Sequence, residues 1–369
     1  MAKKNILMIT TSPFYGEKGS TLRIQSIAKI LSQEYYVDLV SYKNKVLDST
    51  FNKINIFEIG KNNFLNQDVG KISIKKIYLD WLVLKKTLSL LKTKRYDVIH
   101  CEDFEAAAIG LFIKFFYSSL TFVYDLHNRI KDNLEINNYK NNFLLYVISF
   151  VEKLIINKFN FFILNWPMYQ QEEPFINKKT ILFQDQTDTT NKKIIISIDK
   201  PYLAYSGNFK KYQGIENFIN IYNQKVRKFA LVLIGKADKK LIKKYKDNKN
   251  IKFFDILSLK ESNYVLSKSL ACLSPRISGK QPGLKIIHHL LLNKVTIASD
   301  LSANKVILDE NTNIFYKNEQ DLEKIFEAIE NRKIDFSTLE KKIAIEREKF
   351  LKQNSSHNFL KSYQRYLNK

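Results

Sequence analysis

Short apolar runs alternate with amphipathic stretches along the first half of the chain. Ile6 to Ile9 form an unbroken apolar run, which is typical of a strand buried in a parallel sheet. A loop with Gly16 and Gly19 follows, and apolar residues then recur at helical spacing from Leu22 to Leu31 before the next apolar run begins at Val37. This pattern predicts a strand–helix–strand opening. Its glycine loop would lie at the carboxyl end of the first strand, where open parallel sheets bind ligands.

The second half repeats this plan from about residue 200. The segment PYLAYSGNFKKYQGIENFI predicts a strand, a glycine loop and a helix, and FALVLIGKAD predicts a strand that ends on Gly235. IKFFDIL and SLACLSPRISGK predict two further strands, and LKIIHHLLLNK predicts a helix before the strand VTIASD. We therefore predict an α/β fold in which two Rossmann-like parallel-sheet domains of similar size face each other across a cleft.

A polar, non-periodic stretch near the middle of the chain sets the predicted domain boundaries. We predict a first domain at residues 1–183, a linker at 184–200 and a second domain at 201–345. Residues 346–369 are predicted to form a C-terminal helix that packs back toward the first domain. The length of 369 residues gives each domain enough chain to bury its own core.

Composition and charge narrow the partners of the protein. The chain has 60 Lys and Arg against 37 Asp and Glu, a formal net charge of +23, and only eight of the basic residues are Arg. Sites that hold phosphates usually favour the planar fork of Arg. The lysine excess is therefore read first as a general composition bias, with attraction to an anionic membrane surface as the alternative. No motif supports binding to nucleic acid.

The sequence predicts neither a signal peptide nor a membrane-spanning helix. The longest apolar stretch, Phe143 to Trp166, is interrupted by Glu152, Lys153 and Lys158, whereas a spanning helix needs about 20 mostly uncharged residues. A core helix and an interfacial helix explain this stretch equally well. Two cysteines are too few for a disulfide framework. We expect a cytoplasmic protein, and peripheral contact with the inner face of the cell membrane stays open.

Several weak motifs, in the same order along nearly the whole chain, carry a family resemblance. GEKGSTLRI, YDVIHCED and VYDLHN resemble landmarks in the acceptor domain of family-4-like glycosyltransferases of the GT-B fold. YSGNFKKYQGIENF, FALVLIGKAD and SPRISGKQPGLKIIHHLLLNKVTIASD resemble their donor-binding domain. The resemblance implies transfer of a sugar from a nucleoside diphosphate sugar to an acceptor hydroxyl. It also implies retention of configuration, no metal or other cofactor, and a role in making a cell-surface polysaccharide or glycolipid.

The charge of the leaving diphosphate, taken with this resemblance, indicates the donor-binding residues. A metal-free enzyme must neutralise that charge with cations and amide N–H groups. Arg276 would grip the phosphates bidentately, and Lys285 would add a cation at the start of a helix, whose N-terminal amides also favour an anion. Gly16 and Gly19 would let the backbone approach the diphosphate. The other predicted donor-binding residues are Gly207, Asn208, Lys211 (or its neighbour Lys210), Gly279 and His288.

The chain departs from the family pattern in this region. The usual donor loop carries Arg directly after its first glycine and Lys just before the next glycine, and here these places hold Asn208 and Gln213. The family's pair of glutamates is missing, and His288 stands where the second, ribose-holding glutamate is expected. Three explanations stay open: His288 substitutes for the glutamate, the ribose is held in another way, or activity has been lost.

Polar residues that follow two strands of the first half are the candidates for chemistry. His127 is predicted to contact the sugar or the phosphate, and Asp125 in the same turn is a further catalytic candidate. Glu102 and Asp103 follow the strand of YDVIHCED and are candidates to orient an acceptor hydroxyl or to act as a base. Capping of the next helix is the alternative role for these two carboxylates. Lys18 completes the predicted acceptor-binding set.

No metal site is predicted, because the five His and two Cys show no clustered ligand spacing. His100 and Cys101 are assigned to the core. Two alternatives to a transferase stay open. A nucleotide-sugar epimerase on the same architecture needs carboxylates and a His near the anomeric carbon but no acceptor site. A catalytically silent nucleotide-binding subunit, paired with an active transferase, would fit the missing glutamates.

Overall fold

The computed structural model describes residues 3–16, 19–43, 51–60, 74–130, 142–171, 175 and 178–368. Internal contacts divide the chain into two compact units. The first unit is Met1–Asp185 together with Asn354–Lys369, and the second is Gln186–Gln353.

The described residues of the first unit form a seven-stranded parallel sheet. The strands are β1 Asn5–Pro13, β2 Tyr36–Tyr42, β3 Ile54–Ile59, β4 Val98–Glu102, β5 Thr121–Leu126, β6 Phe161–Leu164 and β7 Thr180–Leu182. The helices are α1 Gly19–Glu34, α2 Ile74–Thr93, α3 Asp103–Phe116 and α4 Asn142–Lys158, and a 3-10 helix spans Pro167–Gln171. The strand order is β3-β2-β1-β4-β5-β6-β7.

The second unit is a six-stranded parallel sheet in the order β10-β9-β8-β11-β12-β13, again counted over the described residues. Its strands are β8 Tyr202–Ser206, β9 Ala230–Ile234, β10 Ile251–Phe254, β11 Ala271–Ser274, β12 Thr296–Ser299 and β13 Ile314–Tyr316. Its helices are α5 Ile215–Tyr222, α6 Lys239–Tyr245, α7 Leu259–Lys268, α8 Leu284–Leu291, α9 Ser302–Lys305, α10 Glu319–Glu330 and α11 Phe336–Gln353, and a 3-10 helix spans Lys211–Gln213.

Burial explains why these segments form strands and helices. Residues 6–9 of β1 are each 0% exposed, as expected for a strand that is covered on both faces of a parallel sheet. On α1 the buried apolar positions include Ile24, Ile27 and Leu31, which repeat at helical spacing. The predicted strand–helix–strand opening is confirmed, and so are the two Rossmann-like parallel sheets.

Both sheets change direction beside their first strand. In the first unit β1 lies between β2 and β4, and in the second unit β8 lies between β9 and β11. The loops that follow the two strands on either side of such a switch point leave the carboxyl edge of the sheet side by side, and ligands of open α/β sheets bind there. The fold thus brings the loop after β8 beside the loop after β11, and the loop after β1 beside the start of α3.

The segment predicted as a linker is tied to both units. Gln184 and Asp185 are buried in the first unit, where the backbone N–H of Gln184 donates to Asn354 Oδ1 at 2.7 Å. Further along, Ile194, Ile196 and Ile198 pack against the core of the second unit. These alternating isoleucines are a strand-like pattern that the non-periodic interpretation overlooked.

The C-terminal region contains two helices and changes unit between them. The predicted boundary at residues 345/346 falls inside α11, whose Ile343 and Phe350 are buried and which packs on α8 of the second unit. The last helix, α12 Ser356–Leu367, packs on α1 and β7 of the first unit. Across the described ranges, no helix combines the length and the apolar character needed to cross a bilayer.

Candidate active site

The loop after β8 makes a glycine turn against a lysine side chain. Gly207 has φ +152° and donates its N–H to the carbonyl of Ile234 at 3.0 Å. A Cβ atom at this position would stand 3.1 Å from Tyr205 Oη and 3.2 Å from Lys285 Nζ. The absence of a side chain at Gly207 therefore lets the Lys285 ammonium lie directly against the backbone of the turn.

Lys285 is a largely buried cation in the second unit. It lies in the first turn of α8, donates to Gln213 Oε1 at 2.7 Å and sits 4.2 Å from the centre of the Tyr205 ring. Burial and, to a smaller extent, the nearby charge of Arg276 together lower the pKa of Lys285 to about 7. In the described part of the chain no carboxylate pairs with this ammonium group. An anionic ligand would supply the missing charge.

Arg276 lies in the loop after β11, the strand that pairs with β8, so it is at the carboxyl edge of the sheet as predicted. Its side chain, however, folds back on its own loop. Its Nε donates to the carbonyl of Ser278 at 2.6 Å, and its Nη1 donates to the carbonyl of Gln281. One nitrogen of each edge that could grip a phosphate bidentately is thus engaged by a loop carbonyl. Gly279, with φ +107°, leaves the space that the guanidinium fills, because a Cβ there would overlap Nη2 of Arg276.

The other residues of the donor loop divide into turn formers and exposed cations. Asn208 Oδ1 accepts from the backbone N–H of Lys210 at 3.1 Å, and the Asn208 carbonyl accepts from Tyr205 Oη at 2.5 Å. Lys210 and Lys211 are exposed. Gln213, which stands where the family pattern has Lys, is the residue that reaches Lys285. A lysine at position 213 would place two ammonium groups in contact, so the departure fits the local electrostatics.

His288 lies buried in a structural contact. Its Nε2 is 2.5 Å from Asn263 Oδ1, and the Asn263 amide donates to the carbonyls of Asp188 and Thr190. Because that amide is engaged as a donor, Asn263 Oδ1 accepts from His288, and burial lowers the pKa of His288 to about 4. This neutral ring ties α8 to α7, a role that the sequence did not predict. The geometry gives no support to His288 as a replacement for the ribose-holding glutamate.

A cavity of about 270 Å³ adjoins the Arg276 loop within the second unit. It lies at the carboxyl ends of β11, β12 and β13, the edge at which parallel sheets bind ligands. Polar groups in its lining are contributed by Asn217, Arg276, Ser299, Asp300 and Asn318. Except for Arg276, the sequence analysis did not single these residues out, because they come from three separate segments of the chain and no motif joins them.

The candidates of the first unit meet at the ends of β4 and β5. Glu102, the last residue of β4, is adjacent to Asp125 in the sheet register. His127 follows β5, and its Nε2 lies 2.8 Å from Glu102 Oε2. His100 Nε2 lies 3.2 Å from the other carboxylate oxygen, Oε1. Glu102 and His100 are 0% exposed, so Glu102 does not itself face solvent, and its hydrogen bond is with His127.

His127 is the member of this group whose pKa is raised and which has a ring nitrogen without a partner. Burial alone would lower its pKa, but the hydrogen bond with Glu102 and the charges of Asp103 and Asp125 outweigh burial and raise the pKa to about 9. Contacts with His100 and His127 hold the pKa of Glu102 below its usual range despite burial. Among the described residues, Nδ1 of His127 is buried without a hydrogen-bond partner. A protonated His127 thus has one N–H available for a ligand.

Asp103 and Asp125 have different surroundings. Asp103 begins α3 with φ +70°, a left-handed conformation that is uncommon for a non-glycine residue, and burial raises the pKa of Asp103 to about 6. Asp125 accepts from Arg23 at 2.6 Å, and Arg23 also contacts Asp185 at 2.7 Å. Asp125 is 0% exposed and is engaged by this buried cation, so it supports the fold of the site. Arg23 is a further residue that sequence analysis did not assign to the site.

Two glycines and one lysine complete the predicted set. Gly16 has φ +154°, and its carbonyl accepts from Gln25 Nε2 at 3.4 Å. Gly19 is the first residue of α1. Lys18 lies outside the described residues.

The described residues contain one cluster whose atoms are close enough to hold a metal ion, namely His100, Glu102 and Asp125. Both carboxylates of this cluster already contact a cationic side chain. Arg23 contacts Asp125, and His127, whose pKa is raised to about 9, contacts Glu102.

Solved structures of the same overall fold are glycosyl-transferring enzymes and related proteins. Sucrose-phosphate synthase from Thermosynechococcus elongatus has a TM-score of 0.77 and 15% identity over 98% of this chain and 99% of that chain. HepE from Anabaena, in complex with UDP-glucose, has a TM-score of 0.68 and 16% identity over 97% and 100% of the two chains. The catalytic domain of starch synthase IV from Arabidopsis thaliana, bound to ADP and acarbose, has a TM-score of 0.70 and 12% identity over 100% of both chains.

These similarities define the class, which is the GT-B fold of glycosyltransferases. The model of the family described as glycosyl transferases group 1 matches residues 200–332, the part of the chain that contains Gly207, Arg276 and Lys285. No curated protein matches the sequence significantly. The second unit thus matches the glycosyl transferases group 1 family, and the chain has the GT-B fold, in agreement with the resemblance seen in the sequence.

Proposed function

We propose that the protein transfers a sugar from a nucleoside diphosphate sugar to an acceptor hydroxyl, with the donor diphosphate bound at the switch point of the second unit. One observation carries the proposal. The ammonium group of Lys285 is largely buried against the Gly207 turn, and its pKa is lowered to about 7 with no carboxylate partner among the described residues. A buried cation without a counter-ion is unfavourable on its own, and a diphosphate relieves this cost.

Three further observations support a diphosphate bound beside Lys285. The amides of the first turn of α8 favour an anion. Arg276, on the adjacent loop, contributes positive charge and lies next to the cavity of about 270 Å³ that we assign to the nucleoside. HepE is seen with UDP-glucose and starch synthase IV with ADP, both on this fold. By analogy, we propose a nucleoside diphosphate sugar as the donor here.

We further propose that transfer proceeds without a metal and with retention. The leaving diphosphate gains negative charge as the glycosidic bond breaks, and Lys285 with Arg276 can neutralise that charge where other enzymes use a divalent cation. Retention is what the family resemblance implies. The anomeric configuration of the isolated product, read by NMR, tests it directly.

In the first unit we propose that His127 binds the transferred sugar or the acceptor through its Nδ1–H. Glu102 is a positioning residue in this scheme, because it fixes the ring through Nε2 and keeps the imidazolium charged. Asp103, half-exposed and with its pKa raised to about 6, is the proposed contact to the acceptor hydroxyl. We place the reaction in the cytoplasm, in the synthesis of a cell-surface polysaccharide or glycolipid, as the family resemblance implies.

A turnover assay tests the proposal. The protein is incubated with UDP-, GDP-, ADP- and dTDP-sugars, with and without saccharide acceptors and with EDTA present throughout. Acceptor-dependent release of one nucleoside diphosphate, together with a glycosylated product, is the expected result. Conversion of the donor sugar without acceptor would instead identify an epimerase. Binding of a donor without any turnover would identify a silent subunit.

A further inference from the structure

One face of the first unit is built from three helices that lie side by side. Helix α3 packs against α2 on one side and against α4 on the other, and α2 and α3 contact the sheet. Each helix buries one side, with Leu79 and Val83 on α2, Ala107 and Leu111 on α3, and Ile155 on α4. This inward side is the ordinary apolar face of a helix that covers a sheet.

Each of the three helices also carries a second apolar stripe, directed outward. The exposed positions recur at spacings of three and four residues, so they line one side of each helix. They are Ile74, Ile77, Tyr78 and Trp81 on α2, Phe112, Phe115 and Phe116 on α3, and Phe143, Tyr146, Val147 and Phe150 on α4. These eleven are the larger part of the eighteen exposed large hydrophobic side chains found in the described residues. We call this surface the three-helix face.

The outward stripes are well exposed. Ile74 is 86% exposed, Phe143 77% and Phe115 72%. Large contiguous apolar patches are rare on monomeric soluble proteins and mark binding surfaces, and three adjacent helices with exposed apolar stripes are the arrangement that produces one. Helix α4, which lies in the stretch that the sequence left open between a core helix and an interfacial helix, buries one side and exposes the other.

The exposed charges of the three-helix face indicate what kind of surface it can bind. The exposed charged residues of α2, α3 and α4 are all lysines, namely Lys75, Lys85, Lys92, Lys153 and Lys158. The carboxylates of these helices are less exposed, and three of them are paired inside the protein. Asp80 and Glu105 contact Lys76, and Glu152 contacts Arg129. The face thus presents aromatic and aliphatic side chains among positive charges, which complements an anionic surface.

We infer that the three-helix face docks on the surface of an anionic phospholipid bilayer. Trp, Tyr and Phe side chains are favoured at the interface of a membrane, where apolar rings enter the acyl boundary, and lysines beside them are attracted to anionic headgroups. The helices would lie in the plane of the interface. The inference goes beyond the proposed transferase reaction, and it needs neither donor nor acceptor to be tested.

Vesicle flotation with the full chain tests the inference. Vesicles of phosphatidylcholine alone are compared with vesicles of equal parts phosphatidylcholine and phosphatidylglycerol. We expect the wild-type protein to float with the anionic vesicles and to bind the neutral vesicles at least about tenfold more weakly. Binding to the anionic vesicles should weaken with added salt, because salt screens exposed charges.

Two matched pairs of variants assign the binding to this face. In the first pair, the test variant is Trp81→Ser/Phe116→Ser/Phe150→Ser on the three-helix face. Its control is Ile195→Ser/Val226→Ser/Ile256→Ser, which replaces three exposed apolar side chains of the second unit. The second pair compares Lys75→Glu/Lys85→Glu/Lys153→Glu with Lys239→Glu/Lys240→Glu/Lys243→Glu, which makes the same change of net charge on α6. The variants of the three-helix face should lose about tenfold or more of the binding, and the second-unit variants should bind like the wild type.

Three results would overturn the inference. The first is that the wild type does not bind anionic vesicles. The second is that the two lysine variants lose binding equally, which would make net charge and not this face responsible. The third is that the wild type is a dimer that does not bind vesicles and the serine variant of the face is a monomer, which would mean that a second copy covers the face. Thermal melting followed by circular dichroism confirms that each variant is folded. If the serine variant does not fold, the lysine pair decides alone.

Discussion

Lys285 donates a hydrogen bond to Gln213 at 2.7 Å, across the turn that Gly207 makes possible. The two residues are 72 positions apart: Gln213 ends the 3-10 helix that follows β8, and Lys285 lies in the first turn of α8, which follows the adjacent strand β11. A neutral partner leaves the ammonium without charge compensation, which is the condition that an incoming diphosphate satisfies. The proposed donor site follows from this pair, and the first two predictions test it.

Donor binding should depend on pH through Lys285. The pKa of Lys285 is about 7 in the free protein, and a bound diphosphate favours the charged form and raises this pKa. Affinity for the nucleotide sugar should therefore stay level below pH 7 and fall by up to about tenfold per pH unit above it. Calorimetric titration from pH 6 to 8.5 measures this. Lys285→Arg, which stays charged, should bind without the decline, and an identical decline in this variant would remove Lys285 from the site.

Gln213→Glu should weaken donor binding by placing a carboxylate beside the ammonium. The new ion pair satisfies Lys285 internally and raises its pKa, so the diphosphate must compete with a neighbouring negative charge. We expect a loss of about 1.5–3 kcal/mol in binding free energy, typical of a charge-assisted contact. Gln224→Glu, an exposed change in the same unit, is the control. Unchanged affinity of Gln213→Glu would show that the diphosphate binds elsewhere.

Gly279→Ala should disturb the Arg276 loop. The added methyl group would overlap Nη2 of Arg276, and φ +107° is unfavourable for alanine, so the guanidinium must move. We expect donor affinity to fall by about 1–3 kcal/mol, the scale of local backbone strain, and to approach that of Arg276→Ala. Gly283→Ala is the matched control, because the nearest heavy atom to its new Cβ is 3.7 Å away and the φ of Gly283 is −85°. Equal effects of the two alanines would contradict this account.

The His127–Glu102 pair should stabilise the first unit in a pH-dependent way. Folding raises the pKa of His127 from 6.5 to about 9, so its contribution is fully present below pH 6.5 and is lost as the pH rises through 9. The loss is at most about 3 kcal/mol of the free energy of unfolding. Both tryptophans, Trp81 and Trp166, lie in this unit, so tryptophan fluorescence in denaturant follows its unfolding. The difference between wild type and His127→Gln should shrink between pH 6.5 and 9, and a constant difference would exclude the charged pair.

Arg23 should be essential for the stability of the first unit. Arg23→Met leaves the buried carboxylates of Asp125 and Asp185 without their cation, and removing one partner from a buried ion pair typically costs about 3–5 kcal/mol. The tryptophan fluorescence transition should shift accordingly. Arg365→Met removes an exposed arginine from the same unit and should have almost no effect. A similar small effect for Arg23→Met would mean that the carboxylates are satisfied by other groups.

Sequence patterns were sufficient to predict the elements that carry the site. Apolar runs that end in polar residues located Glu102, His127 and Arg276 at the carboxyl ends of strands, and helical spacing located Lys285 in the first turn of α8. These features depend on the local chain and on the shared polarity of parallel strands. For the same reason the two parallel sheets could be predicted before any contact was known.

Side-chain pairing could not be predicted in the same way. Arg276 turns back to the carbonyls of its own loop, and His288 pairs with Asn263, because loop carbonyls and a buried amide needed partners that only the folded chain reveals. Arg23 joins carboxylates that are 102 and 162 positions away. A rare buried arginine in a lysine-rich chain was the available signal for this network, although it does not name the partners.

Nucleoside diphosphate binding in the absence of metal tests the central claim most directly. A thermal-shift panel of UDP, GDP, ADP, CMP and their common sugar conjugates is run in EDTA, with wild type beside Lys285→Met. At about 100 times its dissociation constant, a ligand stabilises the folded state by about 2.7 kcal/mol, which such a scan detects. The account predicts a shift with one nucleoside diphosphate for the wild type and a much smaller shift for the variant. No shift across the panel, or an equal shift in Lys285→Met, would contradict it.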